Sequence, residues 1–174
     1  MATIDLIVLG IVKKEPISAY DIQKLVEYRN ISRWVKISTP SIYKKVIQLE
    51  SKGFIKGTSY KEGKMAEKTI YSLTENGENE FQKLMIEISE QPINIFLDFN
   101  AVIVNLDNLP LDTQKECINK IEKNIIILKS YIAENINSKN SLLDIPETGK
   151  AVLQQQFILA EAIEKWIMSV KSRF

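Results

Sequence analysis

The sequence contains no histidine, and this absence restricts the chemistry that the chain can perform. Histidine is the usual general base near neutral pH, a common metal ligand and the partner of serine or cysteine nucleophiles. The chain also lacks a glycine-rich phosphate loop and an acidic cluster at metal-ligand spacing. We therefore predict that it is not an enzyme and that it binds no metal and no cofactor.

Cysteine, proline and glycine are scarce, with one, five and six residues among 174. The single Cys117 excludes an internal disulfide. The apolar run from Leu6 to Val12 follows Asp5 and ends at Lys13, unlike a secretory signal, in which basic residues come first. No apolar stretch reaches the length of a membrane span. These features predict a folded cytoplasmic protein with no membrane partner.

Charge is unevenly distributed along the chain. Residues 1–74 hold 13 basic and 7 acidic residues, a net charge of +6, whereas residues 75–174 hold 10 and 15, a net charge of −5. A basic end with an acidic remainder is typical of a nucleic-acid-binding module that carries an appended domain. Chance variation in composition is the alternative explanation.

Three helices are predicted in the first 53 residues. The first stops near Lys13, and the second has Ser18 as its N-cap and runs to about Tyr28. The third has Thr39 as N-cap, Pro40 at its first position and Gly53 just past its end.

Helical periodicity gives the third helix two different faces. Its packing face comprises Ile42, Val46 and Leu49. Its outer face comprises Ser41, Lys44, Lys45, Gln48 and Lys52, with Tyr43 at the margin. The outer face is free to contact DNA, although an outer face with lysines is also what any solvated helix shows.

A β-hairpin is predicted directly after the third helix. Residues 54–60 and 68–73 have strand character, and Lys61 and Lys64 lie in the turn-rich segment between them. Three helices followed by a hairpin form a winged helix-turn-helix, in which the third helix enters the major groove and the hairpin is the wing. Winged helices also bind proteins, so the fold alone does not decide the function.

Four motifs of the predicted winged helix are distinctive: residues 18–22 (SAYDI), 39–43 (TPSIY), 49–55 (LESKGFI) and 68–77 (KTIYSLTENG). In order and spacing they resemble the PadR family of transcriptional regulators. Residues 96–99 (FLDF), 109–110 (LP) and 160–167 (AEAIEKWI) resemble the longer C-terminal domain of one PadR subgroup. The resemblance thus covers nearly the whole chain.

The resemblance implies a regulator, most often a repressor, that uses tyrosines and basic residues of the winged helix on DNA. It makes Tyr20, Tyr43 and Tyr71 phosphate contacts or supports of the reading face. The wing departs from the family at residues 65–67, where a more basic, proline-containing stretch is usual. The full predicted DNA-contact set is Tyr20, Thr39, Ser41, Tyr43, Lys44, Lys45, Gln48, Lys61, Lys64, Lys68 and Tyr71.

The C-terminal part is predicted to be helical throughout. Thr74 caps a helix that runs towards Ser89, and Pro92 interrupts it. Residues 93–106 are almost entirely apolar, which predicts a helix covered on several sides. A long amphipathic helix follows Pro110, and a last helix spans roughly residues 146–171.

The last helix carries two apolar stripes, which predict two packing partners. One partner is the chain's own helices and the other is a second subunit, as the dimerisation role of this region in PadR proteins also implies. The predicted dimer interface is Leu153, Phe157, Ala160, Ile163, Trp166, Ile167 and Val170. The alternative is that both stripes are internal.

Many relatives respond to small aromatic compounds, so such an effector is a further predicted partner. Trp34, Phe96, Phe99 and Trp166 are the aromatic residues that could line its pocket, although buried aromatic residues more often belong to an ordinary core.

The sequence therefore predicts a mainly α protein with a β wing. Residues 1–90 form the winged-helix DNA-binding domain with a linking helix, and residues 91–174 form a helical dimerisation and effector domain. The predicted function is a homodimeric regulator of double-stranded DNA, acting as a repressor on a palindromic operator. The alternative is a winged-helix adaptor that binds protein without specific DNA binding.

Overall fold

The computed structural model describes residues 2–60, 68–140 and 145–173. The chain divides into two compact units, Met1–Ile93 and Asn94–Phe174. The first unit contains α1 (Ala2–Lys14), α2 (Ala19–Tyr28), α3 (Ser41–Ser51), β1 (Ile55–Tyr60), β2 (Lys68–Leu73) and α4 (Glu75–Ser89). The second unit contains α5 (Asn100–Ile103), α6 (Leu111–Asn140) and α7 (Glu147–Lys171). This element order confirms the predicted class, mainly α with a two-stranded wing.

Two helices of the first unit begin at the caps that the sequence predicts. The Ser18 hydroxyl accepts a hydrogen bond from the backbone N–H of Asp21 at 3.2 Å. The Thr74 hydroxyl accepts from the N–H of Gly77 at 3.0 Å and donates to the carbonyl of Gly53 at 2.6 Å. Each cap satisfies an N–H that the helix itself leaves without a partner.

The start of α3 differs from the prediction. The helix begins at Ser41, two residues after the expected cap Thr39. The N–H of Ser41 bonds to the carbonyl of Ser38 at 3.0 Å, and the N–H of Ile42 bonds to that of Thr39 at 3.1 Å. These three-residue spacings belong to a tight turn that leads into the helix. Thr39 therefore accepts a hydrogen bond through its backbone carbonyl, and its side chain does not cap the helix.

The core of the first unit joins α1, α2 and α3 to the base of the wing. Its most deeply buried side chains are Val8, Leu9, Ile22, Val26, Ile42, Val46, Leu49 and Ile55. The two strands pair antiparallel from Ile55 with Leu73 to Tyr60 with Lys68. Tyr71 also exchanges two backbone hydrogen bonds with Ile17, at 2.9 and 3.0 Å. This pairing fixes the wing base to the segment that leads into α2.

The second unit is built on the pairing of α6 with α7. Its buried side chains are Leu106, Ile118, Ile125, Ile132, Ala160, Ile167 and Val170. Lys171 of α7 pairs with Glu122 of α6 at 2.6 Å, and Lys129 pairs with Glu164. Within the described ranges, no helix has the length and apolar character needed to cross a membrane.

The prediction of a covered helix over residues 93–106 is wrong. Only Asn100–Ile103 is α-helical there, followed by a short 3₁₀ turn at Leu106–Asn108. Ile93, Phe96 and Val104 are 92%, 87% and 78% exposed. Asn and Asp side chains recur through this stretch and compete for backbone hydrogen bonds, and its β-branched residues lower helix propensity.

Candidate nucleic-acid interface

The exposed edge of α3 carries four side chains, which we call the α3 ridge: Tyr43, Lys44, Ile47 and Gln48. On the opposite face Ile42, Val46 and Leu49 are at most 1% exposed. The buried row holds the helix in the core while the ridge stays free. The ridge is therefore a firmly supported edge with mixed aromatic, basic, apolar and amide chemistry.

A hollow lies on each side of the ridge. The first, about 520 Å³, is lined by Ser18, Ala19, Tyr20, Tyr43, Val46, Ile47, Lys68, Thr69 and Tyr71. The second, about 470 Å³, is lined by Thr3, Ile4, Lys36, Ile37, Ser38, Ser41, Lys44, Lys45 and Gln48. The hollows make the α3 ridge stand out from its surroundings, which is the shape that entry into a major groove requires.

Lys68, in the first hollow, is held at the base of the wing by an acidic partner on α2. Its Nζ lies 2.8 Å from Asp21 Oδ2, and the Ser18 hydroxyl donates to the same oxygen at 2.7 Å. The hydrogen bond from Lys68, followed by that from Ser18, lowers the pKa of Asp21. Asp21 thus remains a carboxylate, fixes the direction of Lys68 and offsets part of its charge.

Lys45 does not lie on the outer face where the sequence analysis placed it. It is 8% exposed, and its Nζ lies 2.6 Å from Asp5 Oδ1 of α1. The residue is near Ile42 and Leu49 around the helix, so its stem packs inward and its charge is neutralised by Asp5. Lys45 is therefore not a residue of the outer face. Its ion pair with Asp5 ties α3 to α1.

Tyr71 is 9% exposed, so of the two roles implied by the resemblance, its position favours support of the reading face. Burial raises the pKa of its phenol, and the negative charge of Glu50 raises it further. Glu50 also accepts a hydrogen bond from the backbone N–H of Gly57 at 2.9 Å. A Cβ at Gly57 would lie 2.5 Å from Glu50 Oε1 and 3.1 Å from Tyr71 Cε1, so a larger residue here would displace the Glu50 carboxylate.

The remaining predicted contacts fall into three groups. Tyr20 is 55% exposed and reaches the first hollow, where its ring lies 5.5 Å from Lys24 Nζ. Ser41 is half-buried, and its hydroxyl donates to the carbonyl of Ser38. Lys61 and Lys64 lie outside the described residues.

The sequence of this domain matches a known family. Residues 8–83 match the model of the transcriptional regulator PadR-like family. The match spans α2, α3 and both strands, and it includes every residue of the α3 ridge. Residues 8–83 therefore form a PadR-like domain. Because members of this family are transcriptional regulators, the prediction that the chain is not an enzyme is confirmed.

Solved structures also share the fold along nearly the whole chain. PadR of Bacillus subtilis in complex with operator DNA has 20% identity and a TM-score of 0.83, with 100% of this chain and 99% of that chain covered. The PadR-like regulator BC1756 of Bacillus cereus has 22% identity, coverages of 97% and 94% and a TM-score of 0.68. The virulence activator AphA of Vibrio cholerae has 15% identity, coverages of 98% and 96% and a TM-score of 0.72. At these identities the likeness shows the fold. Curated protein sequences gave no match.

The predicted dimer residues of α7 do not form one exposed stripe. Ala160, Ile167 and Val170 are 2%, 0% and 9% exposed and belong to the core of their own unit, so their assignment to an outer stripe is corrected. Phe157 and Ile163 are half-buried against that core. Leu153 is half-buried, and Trp166 is 39% exposed. Packing of α7 on α6 covers this side of the helix.

Two features of the PadR-like interface escape the sequence analysis. Ile47 is absent from its DNA-contact set, although its position 100° from Val46 turns it away from the packing face. The contact between Asp21 and Lys68 joins residues 47 positions apart, and no local pattern indicates it. Within the described residues, no group of three or more acidic, Cys or His side chains is arranged to hold a metal ion.

Proposed function

We propose that this PadR-like regulator binds a two-fold symmetric operator as a homodimer and represses transcription from it in the cytoplasm. The main support for DNA recognition is the α3 ridge, which exposes Lys44, Ile47 and Gln48 on one edge of a helix whose other face is buried in the core. Lys44 provides a phosphate contact, and Gln48 can hydrogen-bond to a base edge. One such helix makes few base contacts, and a second copy doubles them.

Exposed apolar side chains of the second unit support the homodimer. Ile126, Ile127 and Leu128 of α6 and Ile158, Leu159, Trp166 and Met168 of α7 are each 38% to 57% exposed. A hollow of about 420 Å³, lined by Leu128, Leu159, Ile163 and Trp166 among others, lies in the same unit. A monomer with this much exposed apolar surface would be poorly soluble, and a second copy of the chain would cover it.

A small aromatic effector is part of the proposal. Phe99 and Trp166 stack with ring centroids 5.8 Å apart at 27°, and Trp166 also borders the hollow. PadR of Bacillus subtilis has been solved in complex with p-coumaric acid, with 19% identity to this chain and a TM-score of 0.81. The other two aromatic residues considered from the sequence are not part of this proposal, because Trp34 packs against the core of the first unit and Phe96 is 87% exposed.

The proposed function is tested by selecting bound sequences from a random DNA pool with the full-length chain. We expect two inverted half-sites whose centres lie about 34–36 Å apart or at a multiple of that distance. A reporter placed behind the selected site should be less active when the protein is present. Failure to enrich any sequence would contradict DNA recognition, and enrichment of an unrepeated half-site would contradict the homodimer.

The homodimer is tested separately by sedimentation at low micromolar concentration. Ile158→Glu places a charge on an exposed apolar position of α7 and should shift the protein to monomer. Gln155→Glu adds the same charge at another exposed position of α7 and should remain dimeric. A monomeric unsubstituted protein, or equal behaviour of the two variants, would contradict this interface.

A further inference from the structure

Ile47 is the most exposed large apolar side chain of the described helices α1 to α3, at 62%. It lies in the middle of the α3 ridge, one turn after Tyr43 and three residues after Lys44. It lines the first hollow together with Tyr20 and Lys68. A single exposed isoleucine elsewhere would need no explanation, but this one occupies the edge that meets the DNA bases in the proposed function.

The chemistry of the major groove limits what an isoleucine can recognise there. Guanine and adenine present acceptors or donors at N7, O6 and N6, and cytosine presents its amino group. An aliphatic side chain against any of these removes water from a polar group and returns no hydrogen bond. Thymine alone presents an apolar group, its C5-methyl.

We propose that Ile47 is a specificity-determining residue that contacts the C5-methyl group of a thymine in each half-site. The inference rests on the proposed function and adds to it the identity of one base. Lys44 and Gln48, on the same ridge, hold the helix at the phosphates and at a neighbouring base. Ile47 then selects thymine by apolar contact, without a hydrogen bond.

The size of the effect follows from the area of one methyl group. Burial of a methyl or methylene group contributes about 0.8 kcal/mol, which corresponds to about fourfold in affinity. Removing the methyl from both half-sites of a symmetric operator should weaken dimer binding roughly 15-fold. These changes lie within the resolution of a fluorescence anisotropy titration.

The experiment replaces each thymine of the selected operator, one symmetric pair at a time, with deoxyuridine, which lacks only the methyl group. We expect one pair to weaken binding of the unsubstituted protein roughly 15-fold. Ile47→Ala should bind the original operator more weakly and lose most of the difference between thymine and deoxyuridine at that pair. Ile86→Ala removes an isoleucine of similar exposure, 60%, from α4 and should keep the full difference.

Two outcomes would overturn the inference. Deoxyuridine could be tolerated at every position while the operator is still bound, which would contradict the methyl contact and leave the proposed function intact. Alternatively, Ile47→Ala could retain the full difference at the sensitive pair, which would assign the methyl contact to another residue. If no DNA sequence is bound at all, the proposed function fails and this inference fails with it.

Discussion

Replacing Lys45 by Met should destabilise the first unit by leaving a buried carboxylate without its partner. Lys45 Nζ lies 2.6 Å from Asp5 Oδ1, and the two side chains are only 10% and 15% exposed. Removal of one member of a buried ion pair costs about 3 to 5 kcal/mol because the other charge stays desolvated. The residual exposure of Asp5 lets water reach it, so we expect about 3 kcal/mol.

The matched variants separate the charge from the packing. Asp5→Leu combined with Lys45→Met replaces the pair by apolar side chains, and its stability should return to within about 1 kcal/mol of the original. Lys44→Met removes an exposed lysine from the preceding position of α3 and should change stability by less than about 0.5 kcal/mol. With the single variant Asp5→Leu added, the two single variants and the double variant form a cycle that measures the coupling between Asp5 and Lys45.

Urea unfolding followed by tryptophan fluorescence gives the measurement. The chain has two tryptophans, and Trp166→Phe leaves Trp34, which packs against the core of the first unit, as the reporter. With a typical slope of about 1.5 kcal/mol per molar urea, 3 kcal/mol lowers the midpoint by about 2 M. A loss below about 0.5 kcal/mol for Lys45→Met would refute the reasoning that this pair is buried and structural.

Three further results are expected from single substitutions. Gly77→Ala should lower the urea midpoint strongly and displace the start of α4, because a Cβ there would lie 1.9 Å from the carbonyl oxygen of Phe54; unchanged stability would contradict that contact. Asp21→Asn should remove part of the acid dependence of stability: the pKa of Asp21 is lowered in the folded state, so its contribution is present above the ordinary value near 4 and is lost as the pH falls through the lowered one. Since Asp21 is 41% exposed, this effect should be below about 1 kcal/mol, and identical pH profiles would exclude it. Lys44→Ala should weaken binding to all DNA sequences and reduce the salt dependence by about one unit per subunit, whereas an unchanged slope would show that Lys44 contacts no phosphate.

Local chemistry made much of the first unit predictable. The caps Ser18 and Thr74 each need only a hydroxyl and an N–H three residues further along, so sequence spacing specifies them. The end of α3 was predictable for a similar reason, because Gly53 adopts a φ of 74°, a conformation that glycine accepts without strain. In both cases the deciding interaction spans only a few residues.

The wrong predictions concern residues whose burial depends on contacts with distant parts of the chain. Lys45 is polar and was assigned to the outer face, but Asp5, 40 positions earlier, provides a partner that lets it stay buried. On α7, helical periodicity finds both apolar stripes but cannot state which one packs on α6. Composition was also insufficient for residues 93–106, because an apolar stretch can form a covered helix or, as here, a largely exposed and irregular segment.

The hydrogen bond from the Gly57 N–H to Glu50 has a mechanical consequence. It joins the last turn of α3 to β1, and β1 pairs with β2, whose Tyr71 is bonded to Ile17 in the segment that leads into α2. Bending β1 away from α3 would break the Gly57–Glu50 bond and uncover Ile55, which is 1% exposed. We therefore expect α3 and the wing base to rotate together when the domain meets DNA.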